Sequence, residues 1–214
     1  MVLSLASRHN TLRGLYVILD AQVARGRELT TILKQAVEGG ARLFQYRDKE
    51  SSTIECYRRA VKLRQAAVDA GALLFVNDRC DLAMAVEADG VHLGQQDLTL
   101  AHARSLLGDD KIIGVSTHNA SQVREASQGG ADYLGFGPIY PSKTKSGHHP
   151  VVGLGGLRGI RSDTQLPVFA IGGITLDKVQ EVSKAGADGV AVVSGVLDSP
   201  DIVGAVRAFM TCLP

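Results

Sequence analysis

The chain has 214 residues, 45% of them apolar and 21% charged, and its 23 basic and 22 acidic side chains give a formal charge of +1. That balance excludes fibrous, disordered and disulfide-scaffold classes and argues against a nucleic-acid polycation. No apolar run reaches the roughly 18 residues of a membrane span, residues 1–14 are too short and wrongly ordered for a secretory signal, and three scattered cysteines fit reduced thiols, so a cytoplasmic location is expected.

Taken in chain order, short β-branched or aromatic runs predict strands at 15–20, 42–49, 73–78, 90–95, 112–118, 133–139, 168–174 and 189–197. Helical spacing lies between them, as at 53–69, 119–128 and 175–184. In 53–69 the apolar stripe is expected from Ile54, Tyr57, Val61, Leu63 and Val68. Glycine pairs or singles at Gly39-Gly40, Gly71, Gly129-Gly130 and Gly186 each follow a helix-like stretch and precede an apolar run. The steps from Gly71 to Gly130 and to Gly186 are 59 and 56 residues, two units of about 28 to 30 each. Strands that read as continuous apolar runs are buried on both faces. Eight such βα units predict an α/β fold, a single (β/α)8 TIM barrel over 1–214 with the barrel proper at about 15–210. A doubly wound sheet is the alternative, and its glycine fingerprint is missing from the first turn.

Barrel enzymes work at the C-terminal ends of their strands. In the second strand, Gln45, Arg47 and Lys49 share a face and make an anion clamp if Leu43 points inward; a register one residue off would leave them solvated. The third and fourth strands end near Asn77-Asp78 and Asp97. Two neighbouring carboxylates suit a hard cation such as magnesium, although Asp78 alone could cap a helix. His92 reads as a satisfied core histidine. Ser116 can donate to a phosphate, but taken alone it reads as a helix cap. The long loop after the sixth strand carries Ser142, Lys143, Thr144 and Lys145, a phosphate grip in a segment long enough to be a lid. Gly172-Gly173 and Val193-Ser194 end the last two strands, where barrel enzymes commonly bind phosphate. Adjacent His148 and His149 read as solvated, and no histidine spacing suits zinc.

The segments QYRDK, VNDR, GVHLGQQD, GVSTH, GFGPIYPSKTK, AIGGI and VAVVSG, in order from about residue 15 to 197, resemble the thiamine-phosphate synthase family. The resemblance implies a transferase that joins hydroxymethylpyrimidine diphosphate to hydroxyethylthiazole phosphate, with diphosphate leaving before the thiazole nitrogen attacks. It implies pyrimidine diphosphate on Gln45, Arg47, Lys49, Asn77, Ser116 and Lys145, magnesium on Asp78 and Asp97, and thiazole phosphate on Ser142, Lys143, Thr144, Gly173, Val193 and Ser194. Arg47, Lys49, Ser116 and Lys145 would carry the catalysis. Ser142 departs from the threonine more usual there and keeps the hydroxyl. Other readings are an isomerase like the related thiazole tautomerase, or a barrel that binds thiazole phosphate without turnover. Nucleic-acid and membrane partners are not expected, and a homo-oligomer is left open.

Overall fold

The computed structural model describes residues 12–141 and 150–213, and in it eight parallel strands close into one barrel in chain order. The order is β1 (Gly14–Asp20), α1 (Leu29–Glu38), β2 (Leu43–Arg47), α2 (Thr53–Asp69), β3 (Leu73–Asn77), α3 (Cys80–Ala85), β4 (Gly90–Leu93) and α4 (Leu100–Leu107). It continues with β5 (Ile112–Thr117), α5 (Ala120–Gln128), β6 (Tyr133–Phe136), α6 (Gly153–Ile160), β7 (Val168–Ile171), α7 (Val179–Lys184), β8 (Gly189–Val192), α8 (Ser194–Leu197) and α9 (Ile202–Cys212). Every expected strand is present. Beyond the first strand the expected bounds overrun the C-terminal ends, most of all at the last, where residues 194–197 are helical. Val196 and Leu197 are fully buried there, so apolar character continues although the sheet has stopped.

Alternation along each strand separates two cores. Val17, Leu19, Phe44, Tyr46, Leu74 and Val76 face the helices, while Tyr16, Ile18, Leu43, Phe75, Tyr133 and Phe169 fill the barrel axis. The rings of Tyr16, Phe75, Tyr133 and Phe169 meet edge to face, with centroids 5.2 to 5.9 Å apart. Glycine makes the room: a β-carbon on Gly114 would press into the Tyr133 ring, and one on Gly189 would lie 2.6 Å from Phe169.

Helix α2 corrects the expected stripe. Its start is fixed by a capping box, Ser52 with Glu55. Cys56, Ala60, Leu63, Ala66 and Ala67 face the barrel, whereas Ile54, Tyr57, Val61 and Val68 are exposed. Small side chains on the inner face let the helix approach the sheet closely, so bulk is a poor guide to which face is buried.

The glycine steps are not both two units: β3, β4 and β5 lie between Gly71 and Gly130, and β6 and β7 between Gly130 and Gly186, because the units differ in length. Gly71, Gly130 and Gly186 take positive φ, as the turn out of each helix requires. Just before β4, β6 and β8 stands an aspartate: Asp89, Asp132 and Asp188. Each accepts the backbone N–H of the neighbouring strand, from Leu74 (2.9 Å), Ile113 (2.7 Å) and Val168 (2.8 Å). Each also meets an arginine from the helical segment that leads into that neighbouring strand: Arg64 (2.7 Å), Arg104 (2.7 Å) and Arg161 (3.4 Å).

Candidate active site

The inward register of β2 is the one the clamp requires. Leu43 lies in the axial core, and Gln45 two residues on donates from Nε2 to Tyr16 Oη at 3.0 Å. Arg47 follows on the same face and donates to the Asp20 carboxylate, its partner in the β1–β2 register. Asp20 is buried, and its other oxygen accepts the N–H groups of Gln22 (3.0 Å) and Val23 (3.1 Å). Lys49 pairs with Asp78. The two cations at the barrel mouth are therefore each held by an acid from an adjacent strand end, which removes the cost of setting like charges side by side.

Asp20 is a site residue that the sequence reading passes over. The signal was present: it lies two residues beyond Ile18 on the inward face of β1, and its partner in register ends β2. Asp48 was missed as well. Its carboxylate accepts from Gln22 Nε2 (3.0 Å), Tyr46 Oη (3.1 Å), Ser51 N–H (3.1 Å) and Arg59 (2.7 Å), tying the loops after β1 and β2 together beneath Lys49. Burial pushes this acid up, but the hydrogen bonds from Ser51, Gln22 and Glu50 outweigh it and hold its pKa at about 2, from an ordinary 3.8.

Asn77 ends β3, and Asp78 after it sits at φ +61°, a left-handed conformation uncommon for a residue with a side chain. Its N–H donates to His92 O at 2.8 Å. Asp78 is not a helix cap, because Arg79 occupies that position before α3. Burial and the adjoining Asp97 carboxyl raise its pKa above the ordinary carboxylate range, against the pull of Lys49. Asp97 accepts the Gly94 N–H at 2.7 Å. An acid that favours uptake of a proton beside a second carboxyl marks a site short of positive charge. Among the described residues no group of three or more His, Cys, Asp and Glu could hold a metal. Two carboxylate ligands fit magnesium, which takes its other oxygens from water and phosphate, and do not fit a zinc site.

Ser116 faces inward from β5, and its Oγ lies 2.9 Å from His92 Nε2. The capping reading of Ser116 is corrected: Asn119 caps α5, its side chain accepting the Gln122 N–H at 3.0 Å. His92 is buried and hydrogen-bonded, as a core histidine should be.

Across the mouth, Gly172 and Gly173 have φ of +99° and +60°, and a β-carbon on either would strike the β6 loop, at 2.7 Å from Pro138 and 2.9 Å from Tyr140. Ile139 N–H donates to Ile171 O (2.9 Å) and Tyr140 N–H to Gly172 O (3.0 Å), so the loop leaving β6 is stitched to the end of β7. Close backbone packing explains both glycines with or without a phosphate. Val193 separates β8 from α8, and Ser194 is the first residue of that helix. The expectations for Ser142, Lys143, Thr144, Lys145, His148 and His149 lie outside the described residues. All the described candidates gather at the C-terminal end of the barrel. Cys56, Cys80 and Cys212 are free thiols, and none belongs to the site.

A family model described as thiamine monophosphate synthase matches residues 15–196. A thiamine-phosphate synthase of Chloroflexus aurantiacus is 47% identical over 90% of this chain and 89% of its own length. One from Methanospirillum hungatei is also 47% identical, over 92% of this chain and 95% of its own. Among solved structures, thiamine phosphate pyrophosphorylase from Pyrococcus furiosus superposes with a TM-score of 0.86 at 39% identity, covering 94% of this chain and 95% of that one.

Proposed function

The chain belongs to the thiamine monophosphate synthase family, and on that premise we propose that it joins hydroxymethylpyrimidine diphosphate to hydroxyethylthiazole phosphate, releasing diphosphate and forming thiamine phosphate. The observation that carries this reading is the row of charges at consecutive strand ends: Arg47 on Asp20, Lys49 on Asp78, and Asp97 beside Asp78.

The methylene carbon–oxygen bond of the pyrimidine substrate breaks, and the diphosphate leaves with the electron pair. The nitrogen lone pair of the thiazole then forms the new bond to the methylene cation. No protein nucleophile is needed; the task is to stabilise charge on the departing group. Arg47 meets it with a planar fork of donors that Asp20 keeps aimed along the strand direction, and Lys49 adds a mobile point charge. Ser116 contributes a hydroxyl donor, and Asn77 and Gln45 orient the pyrimidine. Lys145 completes the grip on diphosphate, while Ser142, Lys143, Thr144, Gly173, Val193 and Ser194 hold thiazole phosphate. Magnesium, with Asp78 and Asp97 as its protein ligands, would act as a Lewis acid on the diphosphate oxygens. Free cysteines and the absence, among the described residues, of any helix long and apolar enough to cross a membrane support a cytoplasmic enzyme acting on small molecules.

The test is diphosphate release by the purified chain, with each substrate and magnesium omitted in turn. Release that needs all three is expected. Metal-dependent release without the thiazole would change the acceptor, and thiazole-phosphate binding with no release would replace the synthase by a tautomerase or a binding protein.

A further inference from the structure

A chain of hydrogen bonds crosses the barrel axis between two of the proposed ligand contacts. Gln45 Nε2 donates to Tyr16 Oη at 3.0 Å, Tyr16 Oη and Tyr133 Oη are 2.8 Å apart, Tyr133 Oη is 3.0 Å from His92 Nδ1, and His92 Nε2 is 2.9 Å from Ser116 Oγ. It joins β2, β1, β6, β4 and β5, which are not all sheet neighbours, so it exists only because the barrel closes. Gln45, Tyr16, Tyr133 and His92 are all buried.

With Gln45 Nε2 as the donor at its end, donors and acceptors along this chain can be ordered in only one satisfied way. Tyr16 Oη accepts from Gln45, and its single proton needs an acceptor; among the described residues Tyr133 Oη is its other hydrogen-bond partner. The opposite order would leave the Tyr16 proton against the rings of Phe75 and Phe169 with nothing to accept it, which costs more than the bond is worth. Tyr16 therefore donates to Tyr133, and Tyr133 donates to His92 Nδ1. A histidine that accepts at Nδ1 carries its proton on Nε2, and that proton goes to Ser116 Oγ. The Ser116 oxygen is then occupied as an acceptor, and its own proton is free to point towards the barrel mouth. Burial raises the proton affinity of both tyrosine oxygens, so the chain keeps its protons.

We propose that His92 is a positioning residue, held as its neutral Nε2–H tautomer by Gln45, Tyr16 and Tyr133, and that it sets Ser116 as a hydroxyl donor aimed at an anionic diphosphate oxygen. The proposal rests on the reading above in which Ser116 touches the pyrimidine diphosphate. It adds that two tyrosines deep in the core, with no ligand contact of their own, control one substrate's affinity and not the other's.

The experiment has two arms. In the first, long-range nitrogen–proton correlation spectra of the uniformly 15N-labelled chain give the tautomer of each of its six histidines, with His92→Gln assigning the resonance. A pyridine-like Nδ1 and a pyrrole-like Nε2 are expected at His92; the reverse tautomer or an imidazolium overturns the ordering. In the second, Tyr133→Phe keeps the ring and removes only the hydroxyl. It should raise KM for pyrimidine diphosphate about tenfold, the scale of a hydrogen bond to a charged group, with KM for thiazole phosphate unchanged. In a Ser116→Ala background the same change should do nothing further, because its effect passes through Ser116. A merely structural tyrosine would instead lower Tm and move both KM values together, or act equally in both backgrounds, and either result overturns the proposal. Tyr16→Phe and the wild-type spectrum decide the matter if Tyr133→Phe fails to fold. If Ser116→Ala alone leaves KM for pyrimidine diphosphate unchanged, Ser116 does not meet the ligand: the site reading fails and the aiming role with it, while the spectrum still judges the tautomer.

Discussion

Asp89 offers a way to separate the two ends of this barrel by experiment. Its carboxylate is 5% exposed, accepts the Leu74 N–H at 2.9 Å and pairs with Arg64 at 2.7 Å, on the face away from the candidate site. Asp89→Ala leaves the fully buried Leu74 N–H without an acceptor, at a cost of about 1–3 kcal/mol. It also removes a charge-assisted bond to Arg64. Arg64 is 21% exposed and can partly rehydrate, so this second loss falls at the low end, about 1 kcal/mol. The total is about 3 kcal/mol, which for a domain of this size lowers Tm by about 6–12 °C. Asp89→Asn keeps an oxygen for Leu74 N–H and loses only the charge, so it should cost about 1 kcal/mol. Thermal unfolding by circular dichroism measures both, and steady-state kinetics should find both KM values unchanged. Equal losses for the two variants would show that the charge, and not the orphaned N–H, sets the cost. A changed KM would refute the separation of a stabilising end from a catalytic one.

Other consequences can be measured in the same way. Arg47→Ala should weaken pyrimidine diphosphate by roughly 10- to 100-fold, the scale of a charge-assisted pair, and leave thiazole phosphate within about twofold; equal losses by titration would take Arg47 out of the diphosphate site. Asp48 has a folded pKa below its ordinary 3.8, so the stability it adds is complete above about pH 4 and is lost as pH falls towards about 2. The urea midpoint of Asp48→Asn should accordingly lie below wild type at pH 7 and converge with it in acid; a gap that persists at pH 2 would contradict the assignment. Gly114→Ala drives a methyl group into the Tyr133 ring and should cost about 1–3 kcal/mol, with a wild-type Tm showing instead that the axial core has slack.

Much of this protein was legible in its sequence because local rules sufficed. Strands buried on both faces must be apolar throughout, helices must be left through a residue that tolerates positive φ, and together these mark the βα units and so the closed barrel. Period-two alternation puts Gln45 and Arg47 on the same face as Leu43 without any tertiary information, and the structure turns that face inward. What local pattern could not decide was the partner of each side chain. Asp20 meets Arg47 because two strands lie in register, and Ser116 turns from a cap into a link because it points inward from β5 beside His92 on the paired strand β4. The exposed face of α2 failed for a related reason: burial there follows from how closely a helix can approach the sheet, and small residues allow a closer approach than large ones. The sequence by itself determined the periodicities and the chemical groups available. Only the tertiary structure decided which groups meet, since hydrogen bonds and ion pairs act over about 3 Å between residues that the chain holds tens of positions apart.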